Sequence, residues 1–485
     1  MLKNEAKNNQ ILIVKEENMA STGNHPDKTK LIKSNYISTL LIYRKSTGEM
    51  LFDFENEPRV KYIIETDDHN QAVMPVIKLG VMLNTDERII MQENRDDLTF
   101  NLKLKRIERR WDEEKNDYEI ETEVAELDLE FQAWMARTDD VNLKTEDKET
   151  TTEDEDSNKS SSDMKSPTNM TVVDFIITCI KYRNRFKIPI NFNMSGSSKS
   201  DIPVVNALAY GISTCVKEPK SVIMQPPESD KTFNQIICPP YNLKDFCKHL
   251  QLNYGLYKSG LIVFQDLKYL HIIPEFSEDY AVADGEFNSV YIYIYDKQVS
   301  VNSEEMVGSY KDDDNSRYVV MQPAQYNFIN MDEFEKETIG NKFRILTDEG
   351  VDKSVTYEGD TFGGESPLTE MKTELTGSNS TADDRVRHFN NEMNNEMVSS
   401  AAVFQTKLGI IQCSMQLRDV NIDIFKYNRL YHIIFNDDSI IDAKYGGTFK
   451  LINATKTLSQ GQVKNPMTSY VNCIFAKVDV SKTGA

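Results

Sequence analysis

Cys247 and His249 are the pair whose residue types best suit a metal ion. A thiolate and an imidazole can share zinc when both face it. They stand two residues apart in a stretch with helical periodicity, about 200° apart around a helix axis, so they cannot share a metal there. Cys247 also continues an apolar stripe with Leu243, Phe246 and Leu250, which reads as core. His388 and Glu392 have the i, i+4 spacing that brings two side chains to one helix face. With no third ligand or nucleophile beside them, a solvated face is the plainer reading. Asp437-Asp438 is one acidic pair among many. Glycoside hydrolysis needs two carboxylates converging on one bond, and nothing singles out this pair for it. Gly446-Gly447 ahead of Thr448-Phe449-Lys450 lacks the spacing of a phosphate-binding loop. Neither a GxSxG elbow nor an HExxH pair is present. His25, His69, His249, His271, His388 and His432 form no cluster in sequence. The sequence thus points to no catalytic residue, no metal ligand and no cofactor site.

Six cysteines (Cys179, Cys215, Cys238, Cys247, Cys413, Cys473) show no CxxC spacing. They read as free, mostly buried thiols of a chain folded in a reducing cytoplasm. The 485 residues carry a formal net charge of −21, with 27% charged and 39% hydrophobic residues. Nucleic-acid binders need a positive field to displace phosphate counterions, and polybasic membrane binding needs the same sign. Both are disfavoured. No stretch approaches the roughly 18 apolar residues of a membrane helix, so no stable membrane insertion is expected. The longest apolar run near the N-terminus, Ile11 to Val14, is too short for a signal-peptide core.

The elements fall into regions. Residues 1–30 lack lasting periodicity and read as a flexible arm. Residues 31–138 read as strands: Tyr36 to Tyr43, Met50 to Phe54, Val60 to Ile64, Val73 to Leu83 and Asp97 to Arg110. In the last of these Leu98, Phe100, Leu102 and Leu104 alternate with polar residues, as in a half-buried strand. Tyr118 to Phe131 continues the pattern, but its apolar phase slips between Val124 and Leu127. A β-bulge is the natural cause. Residues 139–170 are Thr-, Ser- and acid-rich and nearly devoid of apolar side chains. Such a stretch buries too little surface to offset its chain entropy, and it reads as a disordered acidic insertion.

Residues 171–285 read as mixed α and β. The spacing of Val173, Ile176, Ile177 and Ile180 predicts a helix opened by Thr171 and Asp174. A second helix follows Pro239-Pro240, with Asn242 as N-cap and Gly255 at its end. Strands are expected at Leu261 to Phe264 and Tyr269 to Ile273. Residues 286–485 return to strands, with long polar loops expected at 301–317 and 348–384 and a helix at 384–404. In Val290 to Tyr295 valine and isoleucines alternate with tyrosines, so both faces of that strand should be covered. Leu408 to Leu417, Leu430 to Phe435, Gly446 to Ile452 and Tyr470 to Val478 are further strands. Asn436-Asp437-Asp438-Ser439 is turn chemistry between the second and third.

Two groups of residues carry a resemblance. The first is the helix of Val173, Ile176, Ile177 and Ile180, an irregular segment, then Pro239-Pro240-Tyr241-Asn242-Leu243, the short helix, Asn253-Tyr254-Gly255-Leu256-Tyr257, Gly260 and the strand Leu261 to Asp266. The second is Asn428 to Phe435 followed by Tyr445-Gly446-Gly447-Thr448-Phe449-Lys450-Leu451. Together they resemble the α/β region and the paired strands of central baseplate hub proteins of contractile-tailed bacteriophages and related injection systems. That resemblance implies a β-rich α+β fold, with two tail-tube-like antiparallel β-barrels flanking or interleaved with a mixed α/β domain. It implies a homotrimer adapting the hexameric tail tube to a trimeric central spike. The partners implied are the spike, tail tube or tube-initiator proteins and baseplate wedge proteins, with DNA passing through the channel unbound. The place implied is the virion tail, assembled in the host bacterial cytoplasm. An acidic channel wall would suit that passage. The alternatives are another tail structural component, a tube initiator or wedge protein, and a tail-associated cell-wall hydrolase, which would need a compact pocket with two convergent carboxylates.

Overall fold

The computed structural model describes residues 30–68, 72–112, 117–136, 170–196, 201–295, 307–312, 317–323, 326–330, 342–346, 355–358, 385–388, 401, 411–435, 439–461 and 466–478. The N-terminal elements are β1 (Ile32–Arg44), β2 (Met50–Asp53), β3 (Val60–Asp67), β4 (Val76–Leu83), α1 (Thr85–Glu93), β5 (Leu98–Asp112), β6 (Asp117–Met135) and β7 (Thr171–Cys179). The middle holds α2 (Ile180–Arg185), β8 (Ile190–Ser195), β9 (Ile202–Pro203), α3 (Val204–Cys215), β10 (Val222–Met224), β11 (Thr232–Phe233), β12 (Gln235–Tyr241), α4 (Leu243–Tyr254), β13 (Leu261–Gln265) and β14 (Leu270–Pro274). After them come β15 (Ser289–Tyr295), β16 (Gly308–Asp312), β17 (Arg317–Pro323), β18 (Tyr326–Asn330), β19 (Lys342–Leu346), β20 (Val355–Glu358) and β21 (Arg385–His388). The chain closes with β22 (Ile411–Arg418), β23 (Leu430–Phe435), α5 (Ser439–Tyr445), β24 (Gly447–Ser459) and β25 (Met467–Lys477). The expected β-rich α+β class is the class observed.

Most strands join one sheet that closes on itself twice. Pairing runs β24–β3–β4–β7–β6–β5–β1–β25 and returns to β24. A second circuit runs β16–β17–β15–β23–β24–β25–β1 and returns to β16. The two rings therefore share β1, β24 and β25, and the strands at the chain's end complete the N-terminal ring. Closure removes the open edges that would otherwise recruit other chains. Most pairs are antiparallel, but β15 runs parallel to both β17 and β23.

Each ring encloses its own core. Leu40, Leu79, Phe100 and Phe175 are fully buried in the first, and Leu458 and Met467 from the end of the chain seal it. Phe100 meets Phe175 edge to face with centroids 5.0 Å apart. Burying such a ring is worth roughly 1.5–3 kcal/mol. The second core gathers Ile292, Phe425, Phe449 and Phe475, and it also takes Ile262 and Phe264 from β13. The middle region packs α3 and α4 around Phe246, Cys247 and Leu250. Asn242 caps α4 by accepting from the Asp245 amide, and Gly255 ends it at φ +70°.

The structure changes several expectations. Thr171–Cys179 is a strand, not a helix, paired along β4 and β6. Val173, Phe175, Ile177 and Cys179 are buried on alternate positions. Apolar residues on both parities allowed a helical spacing to be drawn, but the β-branched run suits a pleated surface. The loop expected at 301–317 contains β16, whose Ser309 and Tyr310 are buried despite a polar sequence. Within 348–384 lies β20, and within the helix expected at 384–404 lies β21; both pair with β19. The rest of those two stretches, apart from Ala401, lies outside the described residues, as do the arm at 1–29 and the acidic stretch at Asp139 to Thr168. The phase slip in β6 is a bulge, as its pattern implies. Leu104 pairs with Leu127 and Lys105 with Ala125, leaving Glu126 as the extra residue.

Candidate functional site: a buried charge network where the rings meet

Bulged Glu126 is bound from two directions. Arg106 Nε on β5 donates to its Oε1 at 2.6 Å, and Lys268 Nζ donates to its Oε2 at 2.8 Å. Lys268 sits in the tight turn between β13 and β14. Asp266 shapes that turn, its Oδ1 accepting from the amides of Lys268 (2.6 Å) and Tyr269 (2.5 Å). The other carboxylate oxygen of Asp266 lies 2.7 Å from His271 Nε2. Lys268 also pairs with Asp423. Asp423 lies in a short 3₁₀ turn (Ile422–Ile424) capped by Asn421, whose side chain accepts from the Asp423 amide at 3.0 Å. The neighbouring Ile422 amide donates to the hydroxyl of fully buried Tyr36 on β1. One turn of the middle region is thus locked by ion pairs to both rings.

A second knot joins β24 to β3. Lys456 Nζ donates to Glu65 Oε1 at 2.9 Å and to Asp67 Oδ2 at 2.8 Å, and all three residues are buried. They face inward because Lys456 shares its side of β24 with Ala454 and Leu458. Both knots line a cavity of about 60 Å³, together with Tyr36, Leu102, Leu104 and Lys426.

The electrostatics follow from burial and partner number. Burial pushes the Glu65 carboxyl up to about 7, with Lys456 opposing and Asp67 adding to the rise. Asp67 is raised for the same first reason. Burial works against the Lys456 ammonium, yet two carboxylates outweigh it and hold its pKa well above the ordinary value. One cation serving two anions is stabilised twice, whereas each anion has half a partner. Around Lys268 the balance differs. Burial opposes the charge of Asp423, but Lys426 and Lys268 outweigh it and hold it below the carboxylate range. Asp266 is likewise held low by His271 and Lys426 against its burial. Asp423 and Asp266 are thereby committed to cations. The arrangement can fix the relative placement of three parts of the chain.

The residues singled out by sequence lie elsewhere and apart. Cys247 is fully buried in the α4 stripe. His249 is on another face of that helix, with Nε2 2.9 Å from the Ile237 carbonyl oxygen and Nδ1 2.8 Å from Asn253 Nδ2. His388 lies on β21, a strand, and Glu392 and the pair Asp437-Asp438 lie outside the described residues. His432 stacks on Tyr291 at 4.5 Å, and burial lowers its pKa. All six cysteines are free and buried. Among the described residues no three of His, Cys, Asp and Glu are placed to hold a metal. Sequence reading missed the network, though three of its members occupy positions that the strand pattern marks. Glu126 sits at the phase slip, and Glu65 and Lys456 occupy core-parity positions in their strands.

Several solved structures are similar to this chain. A tail protein from Neisseria meningitidis MC58 is 7% identical at a TM-score of 0.42, covering 91% of this chain and 97% of that one. The 43 kDa tail protein of prophage MuSo2 from Shewanella oneidensis is 8% identical at 0.44, covering 90% and 98%. A Francisella PdpA–VgrG complex in its lidded form is 8% identical at 0.43, covering 94% and 54%. No match is found among curated proteins. The family model described as Bacteriophage PBS1 gene 109 protein matches residues 27–477, and the chain belongs to that family.

Proposed function

We propose that this phage protein is a structural component of the tail baseplate, and within it the hub. Three copies form a ring that adapts a hexameric tail tube to a trimeric central spike, and DNA leaves through its channel. The observation that carries the reading is the pair of closed strand rings in a single chain. Three chains then bring six rings to one axis, which reconciles six-fold and three-fold neighbours. The shared strands and the buried charge network support it, because a symmetry adaptor needs its two rings held at a fixed relation. Breaking such buried pairs is costly.

On this reading the partners are two further copies of the chain, the spike, the tail tube or its initiator, and wedge proteins. The place is the virion baseplate, assembled in the host bacterial cytoplasm. No residue is assigned a catalytic role. Imaging the purified protein by electron microscopy tests the proposal. A three-fold ring with a central hole is expected. Single compact particles, with and without the spike, or a six-fold ring of this chain alone, would sink it.

A further inference from the structure

The strands that turn Lys456, Glu65 and Asp67 inward present an outward face with charges only at its ends. Antiparallel partners that stand opposite share a face, so the register of β22, β25, β24 and β3 fixes its rows. One row runs Gln416, Asn472, Thr455, Thr66. The next runs Asn327 on β18, then Ser414, Ile474, Asn453. A third runs Tyr470, Thr457, Ile64, with Arg418 at one end and Lys78 at the other. Lys78 is paired with Asp174 at 2.6 Å. The fourth runs Thr468, Ser459, Tyr62, Gly80. Charge enters these rows only at their ends, at Arg418, at Lys78 and at Asp174 opposite Gly80, and an open groove of about 470 Å³ crosses the first two. Behind the same strands lie Lys456, Glu65 and Asp67.

This composition is unusual on two counts. In a chain with 27% charged residues, a sheet face of this extent should carry several. A subunit interface also loses charge, but its centre is enriched in aromatic side chains, methionine and arginine and depleted in serine. Here short amides and hydroxyls predominate, and Asn327, Gln416 and Asn472 are exposed. Such side chains hold water and offer no cation. A phosphate backbone passing over them releases no counterions and gains no affinity.

We propose that this face is the wall of the ring's channel, and that its occupant is a passing nucleic-acid duplex, which it meets without binding. The inference rests on the hub reading and makes the wall neutral rather than acidic. The six native cysteines are buried, so a cysteine placed here is the accessible thiol of the described fold. Asn472→Cys and Thr455→Cys, each in the full chain, are to be labelled with N-ethylmaleimide and with a maleimide on a large polyethylene glycol. Asp245→Cys, on the exposed surface of α4, serves as the outward control. The mass of each sample is read by light scattering, with spike added if needed. In a three-chain species the wall positions should react with the small reagent as fast as the control, and with the large one roughly tenfold slower. Protection from both reagents overturns the proposal in favour of a face covered by a second copy. Equal reaction with both puts the face on the outside. A chain that stays single even with spike overturns the hub reading, and this inference falls with it.

Discussion

Lys456 is the residue through which β24 is tied to β3. It carries one positive charge between Glu65 and Asp67, all three buried. Removing one partner of a buried ion pair leaves an uncompensated charge, which costs about 3–5 kcal/mol. Lys456→Met should therefore lower stability by that order in chemical denaturation. Adding Glu65→Gln and Asp67→Asn to it should recover much of the loss. A single variant as stable as the parent would show that the knot is not what joins β24 to β3. The same site sets a pH dependence. Glu65 has its pKa raised from 4.5 to about 7 in the fold. A carboxyl raised by folding lends stability that is complete below its unfolded value and lost as pH rises through the folded one. Asp266 and Asp423 are held low, so their contribution is present above their ordinary value of 3.8 and lost below it. The thermal midpoint should fall between pH 5 and 8, and Glu65→Gln should flatten that fall while leaving the acid limb intact. An unchanged slope in the variant contradicts the assignment.

At the scale of elements, the bulge at Glu126 does two jobs. It turns a charged side chain into the joint, and it corrects the phase of β6 so that Leu127 and Leu129 keep to the core side. Deleting Glu126 should leave an unbroken ladder, because Ala125 and Leu127 already stand opposite Lys105 and Leu104 on alternate faces. Glu126→Gln keeps the bulge and loses only charge, at a cost of roughly 1–3 kcal/mol. Denaturation midpoints of the two variants should fall together, since both lose the ion pairs to Arg106 and Lys268. A deletion far below the substitution would mean that the bulge itself, and not its charge, holds the strand. The bulge was legible because alternation in β6 is strict on both sides of it. The α4 cap was legible because Asn242 and Gly255 have local conformational reasons to be there. β7 was misread because Val172, Val173, Phe175, Ile176 and Ile177 are apolar on both faces, so spacing alone could not choose a period. β16 was missed because its burial comes from β1 and β17, far away in sequence. The network was invisible for the same reason: Glu65 and Lys456 meet across 391 positions. The capping box of α1, with Asn84 and Glu87 bound reciprocally, was a local signal that sequence reading passed over.

On the scale of the whole molecule, the chain returns to its beginning. β24 and β25 belong to both rings, so neither ring is complete until the last strands are made. Contacts of such sequence separation carry a large loop-closure cost and imply slow folding. In return, shared strands tie the two rings of one chain together. Closed assemblies with head-to-tail contacts satisfy every interface without open ends, which suits three such chains. The measurement that tests the proposed three-chain ring most directly is the mass of the purified protein in solution, by light scattering, alone and with the spike protein that the proposal requires. The account predicts a species of about three times 55.7 kDa in at least one of the two conditions. A mass of 55.7 kDa for this chain in both would contradict it.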